Sequence, residues 1–191
     1  NRSSGKMGYA VAKMAVMRGA EVTLVSGPVG VEPFTNISVV PVRSAAEMFR
    51  AVTAVAPEHD IIVMCSAVAD YTPVSCADHK LKKSDADLSI PLVRTKDILK
   101  HLGEHKRVGQ TIVGFSMETD NLIENSRQKL LKKGADIICA NSLNGSQTGF
   151  AADTNMVTLI TRHGERELPL CSKEETADMI LSFILEYGAK A

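Results

Sequence analysis

The stretch Ile61-Ile62-Val63-Met64-Cys65-Ser66-Ala67 decides the fold. Apolar residues run unbroken from Ile61 to Cys65, so a strand here is apolar on both faces. That is the pattern of a parallel sheet covered by helices on each side. The segments around it alternate in the same sense. Upstream, Met7, Val11, Met14, Ala15 and Arg18 fall at helical spacing across residues 4–18, with Ser3 or Ser4 as N-cap and Gly19 as the stop. A buried strand at 22–26 ends in the turn pair Gly27-Pro28, a short strand follows at 38–42, and a helix at 44–56 closes before Pro57. Downstream, a mostly polar connection covers 71–89. It leads to a helix at 96–104, a strand at 111–115, and a helix at 120–133 ended by Gly134. A strand at 136–141, a hairpin of 156–161 with 166–170 turning at His163-Gly164, and a helix at 173–187 complete the chain.

This order reads as an α/β fold: a doubly wound, mostly parallel, Rossmann-like sheet with a C-terminal β-hairpin and helix. A βα unit that opens at Asn1 lacks its strand, so the expectation is a single nucleotide-binding domain over 1–191, with its first strand and Gly-rich loop ahead of Asn1. Ligands in such sheets bind beyond the carboxyl ends of the strands. The residues to watch are therefore 26–28, 66–71, 115–119 and 141–149.

Composition narrows the function classes. The 191 residues hold 22 Lys plus Arg against 22 Asp plus Glu, a net charge of zero, which argues against gripping nucleic acid or an anionic membrane by bulk charge. Hydrophobic residues at 45% allow a sizeable core, and with no Trp and 4% aromatics that core is aliphatic. No apolar run approaches the roughly 20 residues a membrane helix needs. The four cysteines, Cys65, Cys76, Cys139 and Cys171, form no Cys-x-x-Cys pair, so neither a zinc ribbon nor a redox pair is expected and the cytosol is the default compartment.

Four features could carry chemistry. Ser3-Ser4-Gly5-Lys6-Met7-Gly8 starts a helix whose exposed N–H groups suit an anion, although Gly5 and Gly8 equally suit tight helix–sheet packing. Asp70 follows the central strand, where a carboxylate can meet a ribose, a base or a metal-bound phosphate, or can cap a helix. Lys80-Leu81-Lys82-Lys83 lies in the long polar connection, either as solvated surface or as a loop that folds over a polyphosphate. Lys129 and Lys133 share a helix face beside Lys132, and like charges at that spacing call for a negative partner. The helix C-terminus can supply it; an anion arriving at the sheet edge is the reading preferred here. His101 and His105 are four apart, but with no third ligand a zinc site is not expected.

Taken in order, these segments resemble one family. Asn1 to Gly8, the 22–28 strand and turn, Ala67-Val68-Ala69-Asp70-Tyr71, Lys80-Leu81-Lys82-Lys83, Gly114-Phe115 with Glu118-Thr119, and Ala140-Asn141 with Gly149-Phe150 are similar to the bacterial phosphopantothenate–cysteine ligases. These are coenzyme A pathway enzymes often fused behind a flavin-containing decarboxylase. The chain departs at the front, where the family's first strand and Gly-rich loop are absent, and at Ser66, where Ala is common.

The resemblance implies a two-step reaction. CTP, with Mg2+ or Mn2+, activates the carboxylate of 4′-phosphopantothenate as an acyl-cytidylate, and the amine of cysteine then displaces CMP. It implies that Lys80 sits on a closing flap and serves the first step, while Asn1 holds the acyl-cytidylate for attack. Met64, Cys65, Ser66, Asp70, Lys96, Asp97, Ile98, Leu99, Phe115, Lys129 and Lys133 would form the nucleotide site, and Ala67 and Arg2 the phosphopantothenate side. No residue is assigned to the metal. FMN is expected only where a decarboxylase precedes this domain, and the assembly is expected to be a cytoplasmic homodimer that uses neither nucleic acid nor membrane. The rival reading is an NAD(P)-dependent Rossmann oxidoreductase, suggested by the 4–18 helix followed by Glu21-Val22-Thr23-Leu24-Val25. Its glycine fingerprint is incomplete, it lacks a visible catalytic Tyr-x-x-x-Lys, and it leaves the Lys80 loop unexplained. A third reading is a nucleotide-binding domain without catalysis.

Overall fold

The computed structural model describes residues 3–77, 79–80, 88–118, 121–142 and 154–189, with backbone only for Glu118, Ser142 and Thr154. Helix α1 (Lys6–Met17) is followed by strands β1 (Thr23–Ser26) and β2 (Ser38–Pro41), then α2 (Ala45–Val55) with a 3-10 turn at Ala56–Glu58. Strand β3 (Ile61–Met64) leads to a small hairpin of β4 (Tyr71–Pro73) and β5 (Leu92–Arg94) and to α3 (Ile98–Glu104). Strand β6 (Thr111–Glu118), helix α4 (Leu122–Lys133) and strand β7 (Ile137–Ser142) come next. The chain ends with β8 (Thr154–Asn155), β9 (Val157–Thr161), β10 (Gly164–Glu167), β11 (Cys171–Ser172) and α5 (Lys173–Gly188).

The main sheet has the order β10-β9-β7-β6-β3, parallel across β3, β6 and β7 and antiparallel at β9 and β10. Alternation along the buried strands sorts the core into two layers. Val113, Ile137, Cys139, Val157 and Leu159 face Met7, Ala10 and Val11 of α1 and Ala177, Ile180 and Ile184 of α5. Ile112, Ile138, Ala140 and Ile160 face Met48 and Val52 of α2, Ile98 and Leu102 of α3, and Leu130 of α4. Helices α1 and α5 are pinned together at their outer surfaces by Lys13–Glu174 (2.6 Å) and Arg18–Asp178 (2.7 Å) ion pairs. The expected aliphatic α/β sandwich is therefore what forms.

Four details differ from the sequence reading. Strand β3 is covered on both faces as expected, Val63 against one core layer and Ile62 and Met64 against the other, but it was read as the central strand, whereas among the described residues it pairs only with β6 at the end of its sheet, and Ile61 at its start is 36% exposed. Strands β1 and β2 form a separate parallel pair, so hydropathy located the strand but not its neighbours. Second, α1 is capped by Gly5 in the left-handed conformation (φ 76°), not by a serine; Ser3 and Ser4 Oγ instead accept from Gly5 N and Lys6 N at 3.4 Å each. Third, the connection at 71–89 begins with β4, whose three-residue pairing with β5 has no periodicity to find. Fourth, the C-terminal hairpin pairs Thr161 with Gly164, so it turns at Arg162-His163.

One contact sets the crossing of α3 on α4. A Cβ on Gly103 would lie 2.0 Å from Lys133 O, a backbone atom that cannot step aside. Gly103→Ala should therefore cost about 1–3 kcal/mol, the usual range for overpacking. A urea melt should show a lower midpoint with an unchanged slope. An unchanged midpoint would contradict this packing.

Candidate functional site

The site is built where β3 stops. Register places Met64 opposite Gly114, so the turn after β3 emerges beside Phe115 of the longer strand β6. Gly8 of α1 faces this turn, and a Cβ there would meet Cys65 Cβ at an ordinary 3.8 Å, so the approach does not require a glycine. Cys65 is packed into the α1–α5 core layer, and burial pushes its thiol up to about 12, with the charge of Lys173 acting in the opposite sense. It is a protonated packing residue, as expected, and not a nucleophile. Cys139 is fully buried and its thiol is likewise pushed up, by burial and then by Cys65. Beyond Cys65, Ser66, Ala69 and Asp70 are exposed and Ala67 is half-buried.

Thr95 ties this turn to the next segment. Its N–H donates to Asp70 O (2.9 Å) and its hydroxyl to Ala69 O (2.7 Å). Lys96-Asp97-Ile98-Leu99 is thereby held next to the turn. Asp97 caps α3 by accepting from Lys100 N at 3.0 Å, Lys96 lies 4.6 Å over the Phe49 ring, and Ile98 is buried. Leu99 lies over Gly114, where a Cβ would come within 2.6 Å of its Cδ2. From α4, Lys129 Nζ donates to Phe115 O at 2.8 Å and Lys133 Nζ donates to Asp97 Oδ2. Met64 to Ser66, Asp70, the 96–99 turn, Phe115, Lys129 and Lys133 thus share one edge of the sheet.

The lysine pair is a correction. An incoming anion was preferred as the relief for Lys129 and Lys133, but the chain itself supplies negative partners, the Phe115 carbonyl and the Asp97 carboxylate. Partial burial tends to raise the Asp97 pKa, but hydrogen bonds from Lys133 and the Lys100 backbone, with the charges of both lysines, outweigh it and hold the carboxyl below its usual range. Any ligand of these lysines therefore meets cations already oriented by protein groups.

Lys80 is exposed in the connection between β4 and β5, and no described contact joins it to this edge. Asn1, Arg2, Leu81, Lys82, Lys83, Thr119, Gly149 and Phe150 lie outside the described residues. His101 and His105 stack at 4.1 Å, and His105 Nδ1 contacts His101 O at 2.8 Å, an arrangement of ring packing and helix capping. Among the described residues no group of three or more His, Cys, Asp or Glu side chains could hold a metal. One spacing was passed over in the sequence. Tyr9-Ala10-Val11-Ala12-Lys13 has the Tyr-x-x-x-Lys form, but Tyr9 donates to Ser26 Oγ (3.2 Å) and Lys13 pairs with Glu174, so both serve to seat α1.

Three polar residues were missed, Thr95, Lys173 and Asn155. Thr95 gave no signal, being a lone threonine before a lysine. Lys173 and Asn155 are 7% and 2% exposed and meet at 3.4 Å, Lys173 Nζ donating to Asn155 Oδ1, while Asn155 Nδ2 donates to Met7 Sδ at 3.4 Å. Asn141, at the end of β7, is 5% exposed and its Oδ1 has no hydrogen-bond partner among the described residues. It follows Cys139 by two, so it faces the α1–α5 layer.

Residues 1–187 match the family described as DNA/pantothenate metabolism flavoprotein C-terminal domain. The chain is 46% identical over 186 residues to the coenzyme A biosynthesis bifunctional protein CoaBC of Bacillus subtilis, covering 96% of this chain and 46% of that protein. It is 43% identical over 186 residues to the protein of the same name from Vibrio vulnificus, again with 96% and 46% coverage. The chain thus spans about half the length of these curated relatives. Among solved structures, it superposes on the crystal structure of the C-terminal domain of a CoaBC protein with a TM-score of 0.84 at 41% identity, covering all of this chain and 86% of the other.

The Asp97–Lys133 pair has a pH signature. A depressed carboxyl pKa contributes stability that is present above the unfolded value, about 3.9, and is lost as pH falls through the folded value. Lys133→Met should lower the melting temperature at pH 7, with the two proteins converging as pH falls below about 4. With Asp97 39% exposed, the difference should stay under about 1 kcal/mol. A gap that persists at low pH would mean that the ion pair is not its source.

Proposed function

We propose, from a chain that belongs to the family of DNA/pantothenate metabolism flavoprotein C-terminal domains, that it joins 4′-phosphopantothenate to L-cysteine at the expense of CTP. In the first step a carboxylate oxygen of phosphopantothenate attacks the α-phosphorus of CTP. The P–O bond to the leaving pyrophosphate breaks, and an acyl-cytidylate forms. In the second step the cysteine amine attacks the acyl carbon and gives up a proton, CMP leaves, and phosphopantothenoylcysteine is the product. The observation that carries this reading is the convergence of the 64–70 turn, the 96–99 turn, Phe115, Lys129 and Lys133 on one strand edge.

The chemistry asks for such an edge. Bringing a carboxylate to a triphosphate crowds anions, so cations must be in place as charge develops on the leaving group. Lys129 and Lys133 are held by Phe115 O and Asp97, and so are oriented before a ligand arrives. Met64, Cys65 and Ser66 would border the nucleotide, with the 96–99 backbone and Phe115 on its far side. Ala67, small and half-buried, leaves room for phosphopantothenate, with Arg2 and Asn1 assigned to that side and to the acyl-cytidylate. Mg2+ or Mn2+ bound by a nucleotide keeps several waters and needs only one or two protein carboxylates, which the exposed Asp70 fits; such an ion neutralises phosphate charge. The relatives' bifunctional names support a flavin-dependent decarboxylase fused upstream, which is where FMN would bind.

Lys80 is proposed to act from the flap, reaching the triphosphate only when the connection folds over it. The β4–β5 arm that bears this connection exposes Tyr71, Leu92 and Val93 by half or more, an apolar surface that supports a homodimer. Sedimentation should give twice the chain mass, reduced to one by Leu92→Lys; a wild-type monomer would remove the dimer. No described helix is long and apolar enough to cross a membrane, in keeping with a proposed cytoplasmic enzyme. The reductase reading loses ground because Tyr9 and Lys13 are engaged in packing.

The test is pyrophosphate release in the full-length protein. Release should require CTP and phosphopantothenate, and CTP rather than NADPH should raise the melting temperature. Lys80→Gln should cut release by about 100-fold or more with the fold intact, the scale of losing one transition-state charge contact. Release undiminished in the variant would remove Lys80 from the mechanism, and protection by NADPH alone would favour the reductase.

A further inference from the structure

Between α1, the 31–34 loop and the start of α5 lies a groove of about 510 Å³. It sits at the carboxyl end of β1, because Tyr9 in its wall donates to the hydroxyl of Ser26, the last residue of that strand, at 3.2 Å. The chain leading into the loop is set against the head of α1, where a Cβ on Gly5 would come within 2.7 Å of Val29 Cγ1. Three residues on, Gly8 faces Cys65 in the turn that leads to Ala67. The groove thus shares α1 with the turn proposed for the substrates, and Asn1, proposed for the acyl-cytidylate, precedes Lys6 of the groove by five residues.

The charges of the groove are of both signs. Lys6, Lys13 and Lys173 stand with Glu32 and Glu174. Lys173 donates to Asn155 Oδ1 and, like Lys6, has further contacts within the chain, so this is no unbalanced positive patch. Lys13 differs: its ammonium has three donors, of which Glu174 takes one at 2.6 Å. Glu32 is exposed, with no hydrogen bond or ion pair among the described residues. Tyr9 and the half-buried Phe34 add an aromatic wall. Two carboxylates in one groove disfavour a polyanion, whereas cations and carboxylates together suit a small molecule that carries both signs.

We propose that this groove receives the amino-acid substrate as its zwitterion: Lys13 takes the α-carboxylate, Glu32 the α-ammonium, and Tyr9 with Phe34 the side chain. This rests on the function proposed above, in which that substrate is L-cysteine, and adds to it a site for the second step. A thiol behaves as a small hydrophobe, which an aromatic wall accommodates. CTP and 4′-phosphopantothenate, both multiply anionic, meet two carboxylates here and are not held. Because the groove lies outside the turns assigned to the nucleotide, the second step alone depends on its being filled.

The experiment compares the full-length wild type with Lys13→Met, Lys13→Arg and Glu32→Gln. A control outside the groove, Asp178→Asn, loosens the other ion pair between α1 and α5. The readouts are pyrophosphate release without cysteine, KM and kcat for cysteine, saturation-transfer NMR of cysteine, and the melting temperature. Lys13→Met and Glu32→Gln should each raise the cysteine KM about tenfold, with kcat and cysteine-free pyrophosphate release at wild-type levels. The saturation-transfer signal of cysteine should fall in the same two variants. Lys13→Arg should recover part of the loss, and Asp178→Asn should leave the cysteine KM unchanged. Neither position is buried, so the melting temperatures should stay close to that of the wild type. An unchanged cysteine KM in either Lys13→Met or Glu32→Gln would overturn the proposal. So would a rise reproduced by Asp178→Asn, or pyrophosphate release that falls along with it. A wild type that releases no pyrophosphate would overturn the ligase reading instead, and the saturation-transfer comparison would still decide the groove.

Discussion

The parallel register of β3 on β6, with Met64 opposite Gly114, fixes where the candidate residues of the turn after β3 meet Phe115. Because β6 continues four residues beyond that pair, to Glu118, the turn leaving β3 emerges beside the flank of a strand. Phe115 then forms one wall, and its carbonyl becomes the anchor for Lys129. Gly114 makes room at this level for Leu99, whose Cδ2 would lie 2.6 Å from an added Cβ. A one-residue slip would turn the whole set to the opposite face.

The second constraint is electrostatic. Two lysines on one helix face are kept in place by a carbonyl and by a carboxylate that also caps α3. Asp97 thus serves two jobs with its two oxygens, and the crossing of α3 on α4, close enough to exclude any side chain at Gly103, brings both within reach. The cations are oriented without a ligand, which lowers the ordering cost when an anion binds.

Much of the layer architecture was legible because burial leaves a period. The apolar runs at 61–65 and 137–140 and the helical stripe of α1 are direct consequences of which faces are covered. Strand neighbours leave no such trace, which is why β3 was read as the central strand when it pairs on one side only among the described residues. The segments proposed for the nucleotide were chosen through the family resemblance, whereas their mutual ties had no sequence signal: Thr95 works through its own N–H and hydroxyl on backbone carbonyls, and such contacts place no demand on sequence spacing. Lys173 was invisible for the opposite reason. A lysine opening a helix reads as solvated, and only its burial shows otherwise.

The most direct test of the central claim is an amide chemical-shift map recorded as CTP is titrated into the full-length protein. The account predicts that the largest shifts fall together on residues 65–70, 95–99 and 115, all along the β3–β6 edge. Shifts confined to the groove between the C-terminal hairpin and α5, lined by His163, Arg166 and Phe183, would contradict it, as would no shift at saturating nucleotide.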